Sequence, residues 1–279
     1  MSRSPVFLSP ATPSELATYV SSKCLYPTTL VVCSTREEFE YALNKDIDRE
    51  MRLHNPGSLD EQHEEHEEHE EHREADDDMD LDLSVLPEDP VEPPAWISPL
   101  LVHSINRVAI AKHIRVVFVP SVSHLRAWLT VFPPTDPKTV EPPPAVTLTA
   151  VPNRNETTPL LLLYGFLDLH RDTSEWSAQG LSNSAATLVE AARQAALRAV
   201  IVEPRMDWDE QMRDSESILD EEMPMLSGAE RRAVARDQEE GAGGWIGRTV
   251  SVGRVLSRWF RFEEGPWELS REVNAHDDG

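Results

Sequence analysis

Four histidines recur at every third place in the tract His63-Glu64-Glu65-His66-Glu67-Glu68-His69-Glu70-Glu71-His72. Imidazole among carboxylates could hold zinc or nickel, and that is the chemistry such a spacing first suggests. On a helix, however, residues three apart step round by about 60°, so neighbouring pairs among His63, His66, His69 and His72 could share an ion but all four could not face one way. The tract also misses the H-E-x-x-H pattern of metalloproteases, because the second histidine comes one residue early. The expectation is a solvated repeat and no metal site.

Thiol, hydroxyl and phosphate chemistry leave equally weak marks. Cys33-Ser34-Thr35-Arg36 lies between an expected strand and an expected helix, where a helix N-terminus and a nearby arginine could stabilise a thiolate. A cysteine-phosphatase loop needs arginine six places after the cysteine, and Phe39 stands there, so a buried strand-end thiol is expected. The nucleophile-elbow pattern G-x-S-x-G does not occur. Nor does the phosphate loop G-x-x-x-x-G-K-[ST], since none of Lys23, Lys45, Lys112 and Lys138 follows a glycine. No acid, base and nucleophile occur at a recognisable spacing, so the chain is not expected to be an enzyme, and no cofactor is expected.

Binding chemistry is better represented. Leu100 to Phe132 carries Arg107, Lys112, Arg115 and Arg126 with three histidines and no acid. Trp245 to Phe262 carries Arg248, Arg254, Arg258 and Arg261 among Trp245, Trp259 and Phe260, again without an acid. Guanidinium groups beside aromatic rings suit single-stranded nucleic acid, where phosphates pair with arginine and bases stack on rings. Arg248, Arg254, Arg258, Trp259 and Arg261 are therefore the candidate nucleic-acid contacts. The competing reading makes the aromatics core and the arginines solvent-facing. A third feature, Asp78-Met79-Asp80-Leu81-Asp82-Leu83-Ser84-Val85-Leu86, alternates acid and aliphatic. It reads as a docking stretch for a sheet edge or as a plain linker. It is not a calcium loop, because no glycine follows and no glutamate closes it.

The net charge of -24 is unevenly placed. Asp46 to Pro94 holds twenty acidic residues against Arg49, Arg52 and Arg73, and Asp207 to Glu240 holds twelve against four arginines. The rest of the chain is near neutral, so the acidic balance does not argue against a nucleic-acid partner for the folded part. Cys24 and Cys33 flank one expected strand and are expected to stay reduced. No apolar run approaches the length of a membrane span, and no membrane association is expected.

These residues must be carried by alternating strands and helices. Thr12-Pro13-Ser14-Glu15 is a capping box that opens a short helix to about Ser22. Thr28 to Cys33 reads as a strand, and Thr35-x-x-Glu38 caps a helix expected to end near Asn44. Residues 45–95 read as a disordered acidic insert. Leu100 to Lys112 reads as a helix, His113 to Val119 as a strand, and Val122, Leu125, Leu129 and Phe132 mark another helix. Proline-rich residues 133–159 read as a loop with a weak extended piece at Ala145–Val151. Leu160-Leu161-Leu162-Leu163-Tyr164 is apolar throughout, as a strand buried on both faces must be. A helix from Asn183 to Leu197 capped by Ser182, a strand Ala199–Glu203, an acidic insert 207–244 and a helix Ser251–Trp259 follow. Two arms, Phe260–Glu263 and Trp267–Ser270, read as a hairpin around Gly265-Pro266. The core is thus expected in three pieces, 1–44, 96–206 and 245–279, separated by inserts 45–95 and 207–244. The fold class is a three-layer α/β sandwich on a mostly parallel sheet.

The stretches Cys33-Ser34-Thr35-Arg36, His113 to Leu129, Leu160 to Phe166 and Gly253 to Phe262 resemble, in this order, degenerate RecA-type recombinase paralogues. Closest in kind is the small subunit that pairs with a SWIM-domain protein in Shu-type complexes. The resemblance implies a RecA-like, Rossmann-type sheet lacking its phosphate loop, with Tyr164 at the place of the magnesium-binding Walker aspartate and the phosphate-loop strand missing from the N-terminus. It implies a nuclear role in homologous recombination: assembly of a recombinase on single-stranded DNA by a heteromer that contains a SWIM-domain protein and the recombinase. The Elongator accessory subunits share this stripped fold, so a structural role in tRNA modification is the alternative.

Overall fold

Leu160–Tyr164 lies at the centre of a six-stranded, wholly parallel sheet, buried from end to end. The computed structural model describes residues 4–23, 26–55, 96–102, 105–132, 159–205, 215–226 and 248–267. Its strands are β1 (Val6–Ala11), β2 (Thr28–Val32), β3 (Ile114–Phe118), β4 (Leu160–Tyr164), β5 (Arg198–Pro204), β6 (Glu222–Pro224), β7 (Thr249–Ser251) and β8 (Arg261–Glu263). The sheet order is β3-β2-β4-β5-β1-β8, while β6 and β7 form a separate antiparallel ladder. Helices are α1 (Pro13–Lys23), α2 (Arg36–His54), α3 (Ile105–Ala111), α4 (Val122–Thr130), α5 (Phe166–His170), α6 (Ala178–Gln194), α7 (Ser215–Asp220) and α8 (Val252–Leu256).

Alternation along each strand divides the core in two. Leu160, Leu162 and Tyr164 join Val6, Leu8, Leu30, Val32, Val200 and Val202 against Leu16 and Val20 of α1. Leu161 and Leu163 join Phe7, Val31 and Ile201 against Val122 and Leu125 of α4, Leu181 and Leu188 of α6, and Val255 and Leu256 of α8. The result is an α/β protein with a parallel sheet flanked by helices on both faces, compatible with a Rossmann-like fold. Each fully buried leucine contributes about 1.5–3 kcal/mol.

Local signals fix most helix starts. Thr12 and Glu15 bond reciprocally, Thr12 N to Glu15 Oε2 at 2.9 Å and Glu15 N to Thr12 Oγ1 at 3.4 Å. Thr35 and Glu38 form the second capping box, and Ser121 caps α4. Gly165 (φ 82°) turns the chain from β4 into α5 in the left-handed region open to glycine.

Several expectations need correction. The N-terminus does carry a strand: β1 is buried throughout between β5 and β8, and a register shift between Leu8 and Ala11 accommodates Pro10. Helix α2 does not stop at Asn44 but runs to His54, because Asp46 and Ile47 are buried against the core. Lys45–Asn55 thus belongs to the folded part. Helix α3 is shorter than read, starting at Ile105. Helix α6 starts at Ala178 under a Ser177 cap, five residues before Asn183. The stretch read as the second acidic insert contains α7 and β6, whose Met223 is fully buried. Helix α8 covers Val252–Leu256 only, short of Trp259.

Of the hairpin expected around Gly265-Pro266, the first arm, β8, pairs in parallel with β1, while residues 268–270 of the second lie outside the described residues. The residues just after β8 are drawn onto β1, where Gly265 N donates to Ser9 Oγ at 2.8 Å and Trp267 Nε1 donates to the Pro10 carbonyl at 3.0 Å. A Cβ at Gly265 would collide with the Trp267 ring, so this path needs glycine. The extended piece at Ala145–Val151, Cys24, Trp245 and residues 56–95 lie outside the described residues.

Residues 55 and 96 lie side by side although forty residues separate them. The Asn55 side chain accepts from Trp96 N at 2.8 Å and donates to Trp96 O at 2.7 Å, as a neighbouring strand would. His54 stacks on the Trp96 ring at 4.0 Å, and Ser98 Oγ donates to Glu50 at 3.3 Å. The two ends of the described chain on either side of residues 56–95 therefore meet at one point of the fold.

Candidate functional site

Open parallel sheets bind ligands outside the carboxyl ends of their strands. In this chain α2 crosses that edge. Its Phe39 ring lies 6.2 Å from Phe118 at the end of β3 and 5.9 Å from Tyr164 at the end of β4. Seven residues on, Asp46 Oδ2 accepts from Ser14 N at 2.9 Å, at the start of α1 beyond β1. One further turn along, Glu50 Oε1 accepts from Ser14 Oγ at 2.7 Å.

The start of α1 is where a strand-to-helix unit would bind phosphate, through free amides and the positive end of the helix dipole. Here Asp46 and Glu15 already hold the amides of Ser14 and Thr12. Arg205, just past β5, pairs with Glu15, and its own amide donates to the Ala11 carbonyl at 2.9 Å. The turn from β1 to α1 consists of Thr12 alone. The Tyr164 hydroxyl donates to the Ala11 carbonyl at 3.0 Å, tying the end of β4 to the end of β1 across β5. Burial, with Asp46 and Glu203 nearby, raises the Tyr164 phenol well above its ordinary range.

At the same strand ends, but on the α4 and α6 side of the sheet, lies a second group that sequence reading missed. Glu203 in β5 is buried, its Oε1 accepts from Leu167 N at 2.9 Å, and its Oε2 has no hydrogen-bond partner among the described residues. Burial first, and then the negative charge of Asp168, raise its carboxyl well above the ordinary range, so the charged form is disfavoured. Cys33, packed beside Gly165, is raised well above a free thiol by burial and by Glu203 and Asp168. The thiolate is thus disfavoured, and the reading of Cys33 as a buried strand-end thiol holds. Asp168 itself meets Arg171 at 2.7 Å, and the same guanidinium reaches Glu221 at 2.7 Å. A carboxyl, a thiol and a phenol whose charged forms are all disfavoured make no activated nucleophile. Glu203 could have been suspected as an acid closing the apolar run Ala199–Val202, and Asp46 from the spacing Phe39, Leu43, Ile47, which carries the helix past Asn44.

On that same side of the sheet His170 and Ser184 lie 2.8 Å apart, the spacing of a nucleophile and its base. Both are fully buried. His170 Nδ1 donates to the Phe166 carbonyl at 2.7 Å, so Nε2 accepts from the Ser184 hydroxyl, which in turn accepts from Arg126 Nε at 2.9 Å. Arg126 also holds Glu175 at 2.7 Å and the Gly180 carbonyl at 2.8 Å. This network fastens α4, α5 and α6 together. Burial, and secondarily the Arg126 charge, lower the His170 imidazole to about 4, against the pull of its bond to Phe166.

The arginine candidates divide. Arg248, Arg254, Arg258 and Arg261 are exposed, and none has an ion pair or side-chain hydrogen bond among the described residues. Trp259 does not join them as a stacking ring, because it packs against the core and its Nε1 is buried. Phe262, 41% exposed and edge-on to Phe7 at 5.6 Å, is the aromatic that faces solvent. Register places Phe262 opposite Phe7, on the α8 face, and Arg261 opposite Val6, on the α1 face. Arg254 and Arg258 are thus parted from Arg261 by the sheet edge. In the earlier basic segment Arg126 is consumed by its network, and Arg115 lies over the Trp128 ring at 5.5 Å.

Comparisons with protein-family models, with curated proteins and with solved structures find no match to this chain. Among the described residues no group of three or more His, Cys, Asp and Glu could hold a metal ion, and no helix is long and apolar enough to cross a membrane. His63, His66, His69 and His72 lie outside the described residues.

Proposed function

We propose that this chain is a non-catalytic, RecA-like subunit of a heteromeric complex that assists recombinase assembly on single-stranded DNA during homologous recombination in the nucleus. The process and the partners, a SWIM-domain protein and a recombinase, rest on the resemblance carried by Cys33–Arg36, His113–Leu129, Leu160–Phe166 and Gly253–Phe262. The observation that carries the non-catalytic part is the start of α1, where Asp46 and Glu15 occupy the amides that a nucleotide's phosphates would need. With Tyr164 bonded to Ala11 at the place of the Walker aspartate, neither phosphate nor magnesium has its usual ligands among the described residues of this edge. Contact with DNA would fall to the exposed Arg254 and Arg258 on the α8 side, the side that also carries the exposed Phe262.

Two measurements test this. Affinity purification of the tagged chain from its native cells should recover a SWIM-domain protein or a recombinase; recovery of Elongator subunits would replace the reading with a structural role in tRNA modification. Titration of a labelled single-stranded oligonucleotide should show that Arg254→Glu with Arg258→Glu weakens binding and lowers the log–log salt slope by about 1.4, at about 0.7 for each phosphate no longer neutralised. An unchanged affinity and slope would refute the assignment of this face.

A further inference from the structure

We propose that the helical side of the β3 edge is the docking surface for this chain's own acidic–aliphatic stretch, residues 76–86. This is independent of the proposed function. β3 is an edge strand, paired among the described residues with β2 alone. Ile114 and Phe118 pack into the cluster on the α1 side, so by alternation Val116 faces that side too, yet it is 47% exposed. Helix α3, which feeds β3 and packs against α1, leaves Val108 exposed and Ile105 86% exposed, and Leu101 and Val102 just before it are also exposed. The edge strand and the segment that feeds it therefore present five aliphatic side chains to solvent.

The charge around this surface specifies the occupant. From Trp96 to Phe132 there is no acidic residue, and Arg107 and Lys112 border the exposed aliphatics. What fits is an aliphatic segment with negative charge between its apolar side chains. Asp78-Met79-Asp80-Leu81-Asp82-Leu83-Ser84-Val85-Leu86 has that composition, with the period of two that puts acids on one side and aliphatics on the other when extended.

The tether brings it within reach. Asn55 and His54 hold Trp96 at a fixed point of the fold, five residues before Leu101. Leu86 is ten residues from that anchor, a span of at most about 33–36 Å, so the stretch is held near the surface at an effective concentration of the order of millimolar. An external partner would gain this face only by displacing it.

The test is a photo-crosslinking residue placed at the exposed Val116 or Val108 in the full chain, followed by mass spectrometry of the monomer band. Crosslinks within residues 76–86 in cis, reduced several-fold by molar salt and by Leu81→Ser, Leu83→Ser and Val85→Ser together, are the expected result. The serine substitutions should also speed hydrogen exchange of the β3 amides several-fold; they lie far in sequence from every core residue. Crosslinks to another part of the chain, to a second copy or to a co-purifying protein, or exchange unmoved by the substitutions, would overturn the proposal.

Discussion

The buried His170 should make the stability of this protein fall in mild acid by an amount that the structure sets. Folded, the imidazole titrates at about 4; unfolded, it returns to its ordinary value of 6.5. A base lowered in the fold gives stability that is complete above about pH 6.5 and is lost as the pH falls toward 4, because the unfolded chain binds the proton first. The linkage relation yields a loss of about 2 kcal/mol at about pH 5 and about 3 kcal/mol at about pH 4, relative to about pH 7.5. The perturbation is His170→Gln, whose amide does not titrate. Urea unfolding of both chains at each pH provides the assay, and the quantity of interest is how their stability difference changes with pH. Every other titrating group is common to both chains and cancels, Glu203 included. The gap at neutral pH, whatever its size, should shrink by about 2 kcal/mol at about pH 5. A gap constant to within about 0.5 kcal/mol, or one that widens in acid, would refute the argument that burial governs this imidazole.

Glu203 carries the opposite sign. Its stabilisation is present below the ordinary carboxylate range and is lost as the pH rises, so Glu203→Gln should stabilise the protein at neutral pH and flatten its pH dependence, read as a higher urea midpoint. Asp46→Ala frees the Ser14 amide at the start of α1 and should cost about 1–2 kcal/mol, with unfolding still a single transition. Asn55→Ala removes both bonds to the Trp96 backbone and should cost about 1–2 kcal/mol while speeding exchange of the Trp96 amide.

Local chemistry was legible where one residue's neighbours in sequence are also its neighbours in space. The capping boxes Thr12–Glu15 and Thr35–Glu38 depend on contacts within a few residues, the β-branched run of β2 and the leucine run of β4 declare themselves by composition, and all four form as their patterns predict. Pattern also established that strands and helices alternate, and with that the α/β class.

What escaped depends on contacts across the chain. β1 contains Ser9 and Pro10, so its sequence resembles a loop until β5 and β8 close on it. Lys45–His54 has the acidity of a linker, and the burial of Ile47 and the meeting of Asp46 with Ser14, thirty-two residues away, make it part of the core. Arg261, Phe262 and Trp259 are close in sequence, but parallel pairing with β1 sends the first two to opposite faces and packing buries the third. A sequence states which side chains are charged or aromatic; which of them meet solvent together is decided by strand register and by what packs behind them, and neither is a local property.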